Sequence, residues 1–265
     1  MDVLALDFDG VISDSAPESF AVALDTYLEL EPGSRLSEDR EAIASGDDWS
    51  LASIQAHGLY VAFVEAMPLG NRAEDFGVVL RALDRACPLP DQAAYDAFRA
   101  TLASAWLARF HRSFYRRRAA FAERDPDGWR SLLAPYPAFS RLLRKRRDAA
   151  ILAIATAKDR PSVERLLVDY GLADLFAPER VLDKETGVSK RSHLQELAAR
   201  LEVDFPQITF VDDKVNHLDD VASLGVRCAL AAWGYNGPRE HRLARRRGYL
   251  VCDLEEAESS LFGPR

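Results

Sequence analysis

The sequence predicts an α/β protein whose parallel sheet is interrupted by a long helical insertion. Three observations carry this. A short buried strand, Val3–Leu6, stands alone near the start of the chain. Residues 15–135 then read as helical, with few strand signals. From Ile151 onwards strands and amphipathic helices alternate, which implies a parallel sheet with helices on both faces.

Taken in order, Val3–Leu6 runs into the glycine-containing turn Asp7-Phe8-Asp9-Gly10. Within the insertion, Trp106, Phe110 and Phe114 recur at four-residue spacing, an apolar helical stripe that core packing explains. Ala134-Pro135-Tyr136-Pro137 punctuates the chain, since each proline restrains the residue before it. Ile151–Ala155 reads as a strand. Val163, Leu166, Leu167 and Tyr170 follow at helical spacing, with Pro161 near the helix start and Gly171 just past its end. Leu194, Leu197, Ala198 and Leu201 repeat that spacing, and Ile208–Val211, Val226–Ala231 and Tyr249–Cys252 are further strands. The resulting expectation is a Rossmann-like core, residues 1–14 and 136–265, carrying an inserted helical domain, residues 15–135.

Composition narrows the function classes. With 265 residues, 48% hydrophobic and 29% charged, the chain has the balance of a globular protein. A net charge of −8 and a pI near 5.3 argue against a general nucleic-acid binder, whose footprint should be basic. Cys87, Cys228 and Cys252 stand singly, without a CxxC pair, which gives no disulfide framework and fits a reducing compartment. The first apolar stretch is only Val3–Leu6, so no signal peptide is visible. The longest apolar run, Ala149–Ala157, is shorter than the roughly 20 residues a bilayer span needs. A cytoplasmic protein with neither nucleic-acid nor membrane partners is expected.

Open parallel sheets bind ligands outside the carboxyl ends of their strands, so the residues after each strand carry the chemistry. Asp7 and Asp9, two apart in extended backbone, place two carboxylates at one spot. Like charges there raise each other's pKa unless something positive intervenes, and a hard divalent cation is one solution. Two aspartates capping turns would look the same in isolation. After the next strand come Thr156 and Ala157, a hydroxyl and a backbone N–H that can hold phosphoryl oxygens; Thr as an ordinary helix cap is the plain alternative. Ser189 is a candidate N-cap with Lys190 in the first turn, where a cation opposes the helix dipole and suggests a nearby anion. Of 34 basic residues only five are lysines, and Lys158 and Lys184 rival Lys190 as the ammonium of a site. Asp212-Asp213 follows the Ile208–Val211 strand, where adjacent carboxylates are awkward without a cation. Asp219 and Asp220 read as residues of the next, solvated helix. His217 and the other histidines form no metal-ligand spacing.

The ordered set, strand–DFDGV, strand–Thr, helical Lys and strand–Asp-Asp, resembles the haloacid dehalogenase superfamily. All four of that family's motifs occur in order, and residues 15–135 fall where many members carry a helical cap. The resemblance implies a capped phosphatase with Asp7 as nucleophile, forming an aspartyl phosphate, and Asp9 as acid/base. It assigns Thr156 and the Ala157 N–H to the phosphoryl oxygens and Lys190 to charge neutralisation. It assigns Mg²⁺ to the Asp7 carboxylate, the Asp9 carbonyl and the acidic pair. Asp213 aligns best with the direct ligand, and Asp212 binds directly or through water.

Asp9 disfavours carbon–halogen cleavage, because the family's dehalogenases lack this second aspartate. Phosphonate cleavage needs a cap lysine, and residues 16–134 contain none. A phosphomutase shares the same core residues, and a silent regulatory protein would have lost one of them. The expected function is therefore Mg²⁺-dependent hydrolysis of a small phosphorylated metabolite. Substrate choice should reside in the cap. From Arg109 to Arg147 there are twelve basic residues against three acidic ones, either a solvated arginine-rich face or a source of anion contacts. Arg72, in the Gly70-Asn71-Arg72 loop, and Arg112 are the candidates for a second anionic group. The crossings near Asp14–Pro17 and Ala134–Pro137 should act as hinges.

Overall fold

A computed structural model describes residues 2–263 apart from Asp47, Asn71 and Val188. The chain divides into two compact units, Met1–Asp14 with Pro135–Arg265, and Ser15–Ala134. Among the described residues the first unit holds a six-stranded sheet. Its strands are β1 (Val3–Leu6), β2 (Ile151–Ala155), β3 (Val181–Leu182), β4 (Ile208–Asp212), β5 (Arg227–Ala231) and β6 (Leu250–Cys252). They lie in the order β6-β5-β4-β1-β2-β3, with every recorded pairing parallel.

The sheet is buried on both faces, which is why β1 and β2 are continuous apolar runs and every residue of β4 is buried. Val3, Ala5, Ala153, Ile208, Phe210 and Leu230 pack with Leu194 and Leu197 of helix Lys190–Leu201 and Leu218 and Val221 of helix Val215–Ala222. The alternate residues Leu4, Leu6, Leu152 and Ile154 are equally buried. Three strand ends move by one residue from the sequence reading: β4 runs on to Asp212, β5 begins at Arg227 and β6 at Leu250. The two-residue edge strand β3 gives no sequence signal, being too short to show a period.

Register is what positions the site. Leu6 of β1 is level with Ile154 of β2 and Val211 of β4, so Asp7, Ala155 and Asp212 fall on one line across the sheet. The Asp7 N–H still donates to the Val211 carbonyl, at 2.9 Å, beyond the end of β1. The chain then folds into a tight turn in which Ile12 and Ser13 N–H groups both donate to Phe8 O at 2.9 Å. Gly10 allows it, with φ +81°, and a Cβ there would lie 2.4 Å from Asp213 Oδ2.

The second unit is built on helices Ala16–Leu30, Ala73–Asp84 and Ser104–Arg124, with shorter helices around them. Among the described residues it also contains an antiparallel ladder, Ala44–Ser45 with Asp48–Trp49, where the sequence shows few strand signals. The Trp106-Phe110-Phe114 stripe is core: Phe110 and Phe114 are buried and Phe114 packs on Phe76. Gly77 lets helix Ala73–Asp84 approach closely, since a Cβ there would meet the Phe110 ring at 2.6 Å. Glu18, fully buried, accepts from Arg118 Nε and Nη2 at 2.7 and 3.0 Å and from Trp129 Nε1 at 3.0 Å. Among the described residues no helix is long and apolar enough to cross a membrane.

Candidate active site

The carboxyl ends of β1, β2 and β4, with the start of helix Lys190–Leu201, bring Asp7, Thr156, Lys190 and Asp212 together. Asp7 Oδ1 accepts from its neighbour's backbone, Phe8 N–H at 2.7 Å, and lies 2.7 Å from Lys190 Nζ. The same ammonium is 3.4 Å from Asp212 Oδ2 and donates to the Ala155 carbonyl at 2.7 Å. Lys190 is held there by its helix start. Ser189 caps the first turn, accepting from Ser192 N–H at 3.1 Å. Behind it, buried His193 uses Nε2 to meet the Asp183 and Gly187 carbonyls at 2.9 and 3.1 Å, tying down the preceding loop.

A second ammonium serves Asp9. Lys158 Nζ is 3.0 and 3.2 Å from the two Asp9 oxygens, and the Lys158 N–H donates to Thr156 Oγ1 at 3.1 Å. Thr156 Oγ1 therefore accepts from the backbone, and its own proton can be donated outward. Ala157, between them, is exposed. Sequence spacing left Lys158, Lys184 and Lys190 as rivals for one role; the geometry gives Lys190 to Asp7 and Lys158 to Asp9.

Asp212 and Asp213 face different surroundings. Asp212 accepts from the Lys214 N–H at 2.9 Å and lies 3.0 and 3.1 Å from His217 Nδ1. Asp213 Oδ2 accepts from the Tyr235 N–H at 3.0 Å, while Asn236 Nδ2 donates to the Asp213 carbonyl at 2.9 Å. A Cβ on Gly234 would lie 2.4 Å from both Asp213 Cβ and Gly10 O, so that loop is packed directly on the turn after Asp9. Tyr235, Asn236 and His217 carry no signal in the sequence. Tyr235 and Asn236 meet Asp213 from 22 and 23 residues away, and His217, only five residues from Asp212, is turned onto it by the loop after β4.

Electrostatics follow from burial. Asp7, Asp212 and Asp213 are each at most 7% exposed, against Lys190 as the ammonium among them. Burial pushes the Asp7 carboxyl up to about 6, with Lys190 opposing and Asp212 adding to the rise. Burial works the same way on Asp212, but His217 and Lys190 outweigh it and hold that carboxyl well below the ordinary range. Asp213 is pushed well above it, by burial and by the adjacent Asp212 charge. Burial disfavours the Lys190 ammonium, yet Asp7 and Asp212 keep its pKa above the usual lysine value.

Buried oxygen donors in excess of nearby positive charge are the donor chemistry of a hard divalent cation. The residues fit such an ion: donor atoms of Asp7, Asp212 and His217 lie within 4.8 Å of one another. His217, for which the sequence shows no metal-ligand spacing, is one of the three.

Arg72 and Arg112 belong to the helical unit, and both are exposed. Arg72 precedes helix Ala73–Asp84, its N–H donating to Asp75 Oδ2 at 3.0 Å, and Asn71 beside it lies outside the described residues. Much of the arginine run is accounted for locally. Arg116 and Arg117 each meet Glu29 at 2.6 Å, and Arg118 is engaged by Glu18.

Comparison with known proteins bears on the fold and the family. A family model for haloacid dehalogenase-like hydrolases matches residues 1–219. A predicted phosphoglycolate phosphatase from Haemophilus somnus is similar at 16% identity, with 98% of each chain covered and a TM-score of 0.61. A haloacid dehalogenase-like family protein from Streptococcus pneumoniae is similar at 12% identity over 98% of each chain, TM-score 0.62. A protein from Lactobacillus delbrueckii subsp. bulgaricus that carries a phosphoglycolate phosphatase assignment is similar at 14% identity over 100% of each chain, TM-score 0.66. At these identities the likeness speaks to the fold. No curated protein matches the sequence. With the family pattern matched across residues 1–219 of 265, the chain belongs to the haloacid dehalogenase-like hydrolase family.

Proposed function

We propose that the protein is a divalent-cation-dependent phosphatase acting on a small phosphate ester, with Asp7 as covalent nucleophile. In this reading residues 1–14 and 135–265 form the hydrolase core and the helical unit is its cap. The observation that carries it is the Lys190–Asp7 contact: a buried carboxylate kept ionised and fixed by an ammonium at 2.7 Å. Asp7 Oδ1 is already engaged by Lys190 and the Phe8 N–H, so Oδ2 is the oxygen offered to phosphorus. Its attack forms an aspartyl phosphate and expels the alcohol. Asp9 protonates the leaving oxygen, and once deprotonated takes a proton from the water that attacks the acyl phosphate. Lys158, against both Asp9 oxygens, holds that carboxylate in place. Thr156 Oγ and the Ala157 N–H are donors to the phosphoryl oxygens.

Mg²⁺ is the proposed cation, held by the Asp7 carboxylate, the Asp9 carbonyl and the Asp212–Asp213 pair. When bound it supplies charge neutralisation for the phosphoryl group. Arg72 and Arg112 are proposed contacts for a second anionic group of the substrate. The test is phosphate release from a panel of phosphorylated metabolites with Mg²⁺ present, beginning with 2-phosphoglycolate, for which two structural neighbours are named. Asp7→Asn should abolish release while leaving the circular dichroism spectrum unchanged. Turnover at a normal rate in that variant contradicts the reading.

A further inference from the structure

His217 stands at the acidic cluster with no part in the mechanism above. It sits in the first turn of helix Val215–Ala222, and the loop between β4 and that helix folds it back over Asp212. Its Nδ1 is 3.0 and 3.1 Å from the two oxygens of a fully buried carboxylate. One donor atom each from Asp7, Asp212 and His217 fits within 4.8 Å. Around a cation with bonds of about 2.1 Å, donors at right angles are about 3 Å apart and opposed donors about 4.2 Å. Small side-chain adjustments therefore let the three share one ion.

The chemistry of the donors then matters. Carboxylates and carbonyls alone give Mg²⁺ the hard oxygen shell it prefers. An imidazole adds a nitrogen, which suits borderline first-row ions and raises affinity along the series from Mn²⁺ through Co²⁺ to Ni²⁺. We propose that His217 gives a ring nitrogen to the cation held by Asp7 and Asp212, tilting the centre toward Mn²⁺ and Co²⁺ relative to Mg²⁺. The ring binds in its neutral form, through a nitrogen that bears no proton, and for Nδ1 the ion replaces the hydrogen bond to Asp212. This rests on reading the cluster as the cation site of the proposed phosphatase.

The experiment uses untagged full-length protein loaded with Mn²⁺ at pH 8 and reads pulsed electron paramagnetic resonance for nitrogen coupling. Imidazole ¹⁴N modulation is expected in the wild type, replaced by a ¹⁵N signature on uniform labelling and absent in His217→Gln. Competitive titration should show the preference for Mn²⁺ over Mg²⁺ falling about tenfold in that variant. Mn²⁺ bound to the wild type without nitrogen coupling overturns the inference, because the ion is then held by oxygens and His217 only hydrogen-bonds Asp212. Binding of neither ion overturns it as well. Phosphate release with Mg²⁺, measured in parallel, decides the phosphatase reading by itself. An enzyme active with Mg²⁺ but showing no nitrogen at Mn²⁺ loses only this inference.

Discussion

Replacing Lys190 by methionine keeps most of the side-chain volume and deletes one charge. In the native protein that charge lies 2.7 Å from Asp7 Oδ1 and 3.4 Å from Asp212 Oδ2, with all three side chains at most 9% exposed. Removing one partner of a buried ion pair costs about 3–5 kcal/mol, because the other charge is left without compensation. The variant can meet that cost in two ways. It can lose stability, or Asp7 can take up a proton, since burial and Asp212 both push its carboxyl above the value of about 6 it has with Lys190 present. A protonated Asp7 cannot attack phosphorus. At about 1.4 kcal/mol per decade, the same energy applied to the reaction is two to three and a half orders of magnitude in kcat/KM. The assay is hydrolysis of p-nitrophenyl phosphate with Mg²⁺ at pH 7, alongside urea unfolding to apportion the two effects. Lys158→Met should behave differently. Its partner Asp9 is more exposed, with 35% of its side chain accessible, so the stability loss is smaller and the defect falls on proton transfer. A Lys190→Met enzyme within tenfold of wild type, with Lys158→Met the more damaged, would refute the assignment of the two ammonium groups.

Three further outcomes are expected. Gly234→Ala should lower stability by about 1–3 kcal/mol, because the added methyl meets Asp213 Cβ and the Gly10 carbonyl at 2.4 Å and backbone must move; urea unfolding checks it, and an unchanged midpoint contradicts it. In the helical unit, Arg118→Met strands the buried Glu18 carboxylate and should cost about 3–5 kcal/mol in thermal unfolding, whereas the Arg118→Met, Glu18→Leu double variant should recover much of it. For pH, burial works against ionised Asp183, but hydrogen bonds from Thr186 and the Arg160 charge outweigh it and hold the carboxyl below its ordinary range. A depressed folded pKa contributes stability present above the unfolded value of about 3.9 and lost as pH falls through the folded one. The stability gap between wild type and Asp183→Asn should therefore narrow on acidification below about pH 4; a gap that widens there contradicts the assignment.

What the sequence disclosed follows from the geometry of parallel sheets. Continuous apolar runs such as Val3–Leu6 and Ile151–Ala155 reveal strands buried on both faces. The residue after each run is then placed at the ligand-binding edge, so Asp7, Thr156 and Asp212 could be gathered before any distance was known. Roles that depend on the path of a side chain were not legible. Lys158 and Lys190 both follow a strand or open a helix, and their assignment to Asp9 and Asp7 is fixed by side-chain reach rather than position in the chain. His217 was invisible for a related reason. Its relation to Asp7 and Asp212 exists because a short loop returns the helix over the strand end, and no histidine spacing records that. Arginine density between Arg109 and Arg147 gave a charge without its destination, and Glu18 and Glu29 turn out to absorb three of those side chains.

The central claim is a covalent bond between Asp7 and phosphorus, and it can be caught chemically. The enzyme is mixed with an aryl phosphate and Mg²⁺, quenched during turnover, and treated with borohydride, which reduces an acyl phosphate to the corresponding alcohol. Peptide mapping should then find homoserine at position 7, dependent on substrate and absent without it. Turnover of the ester with position 7 still aspartate throughout, or with the reduced residue elsewhere in the chain, would contradict the account.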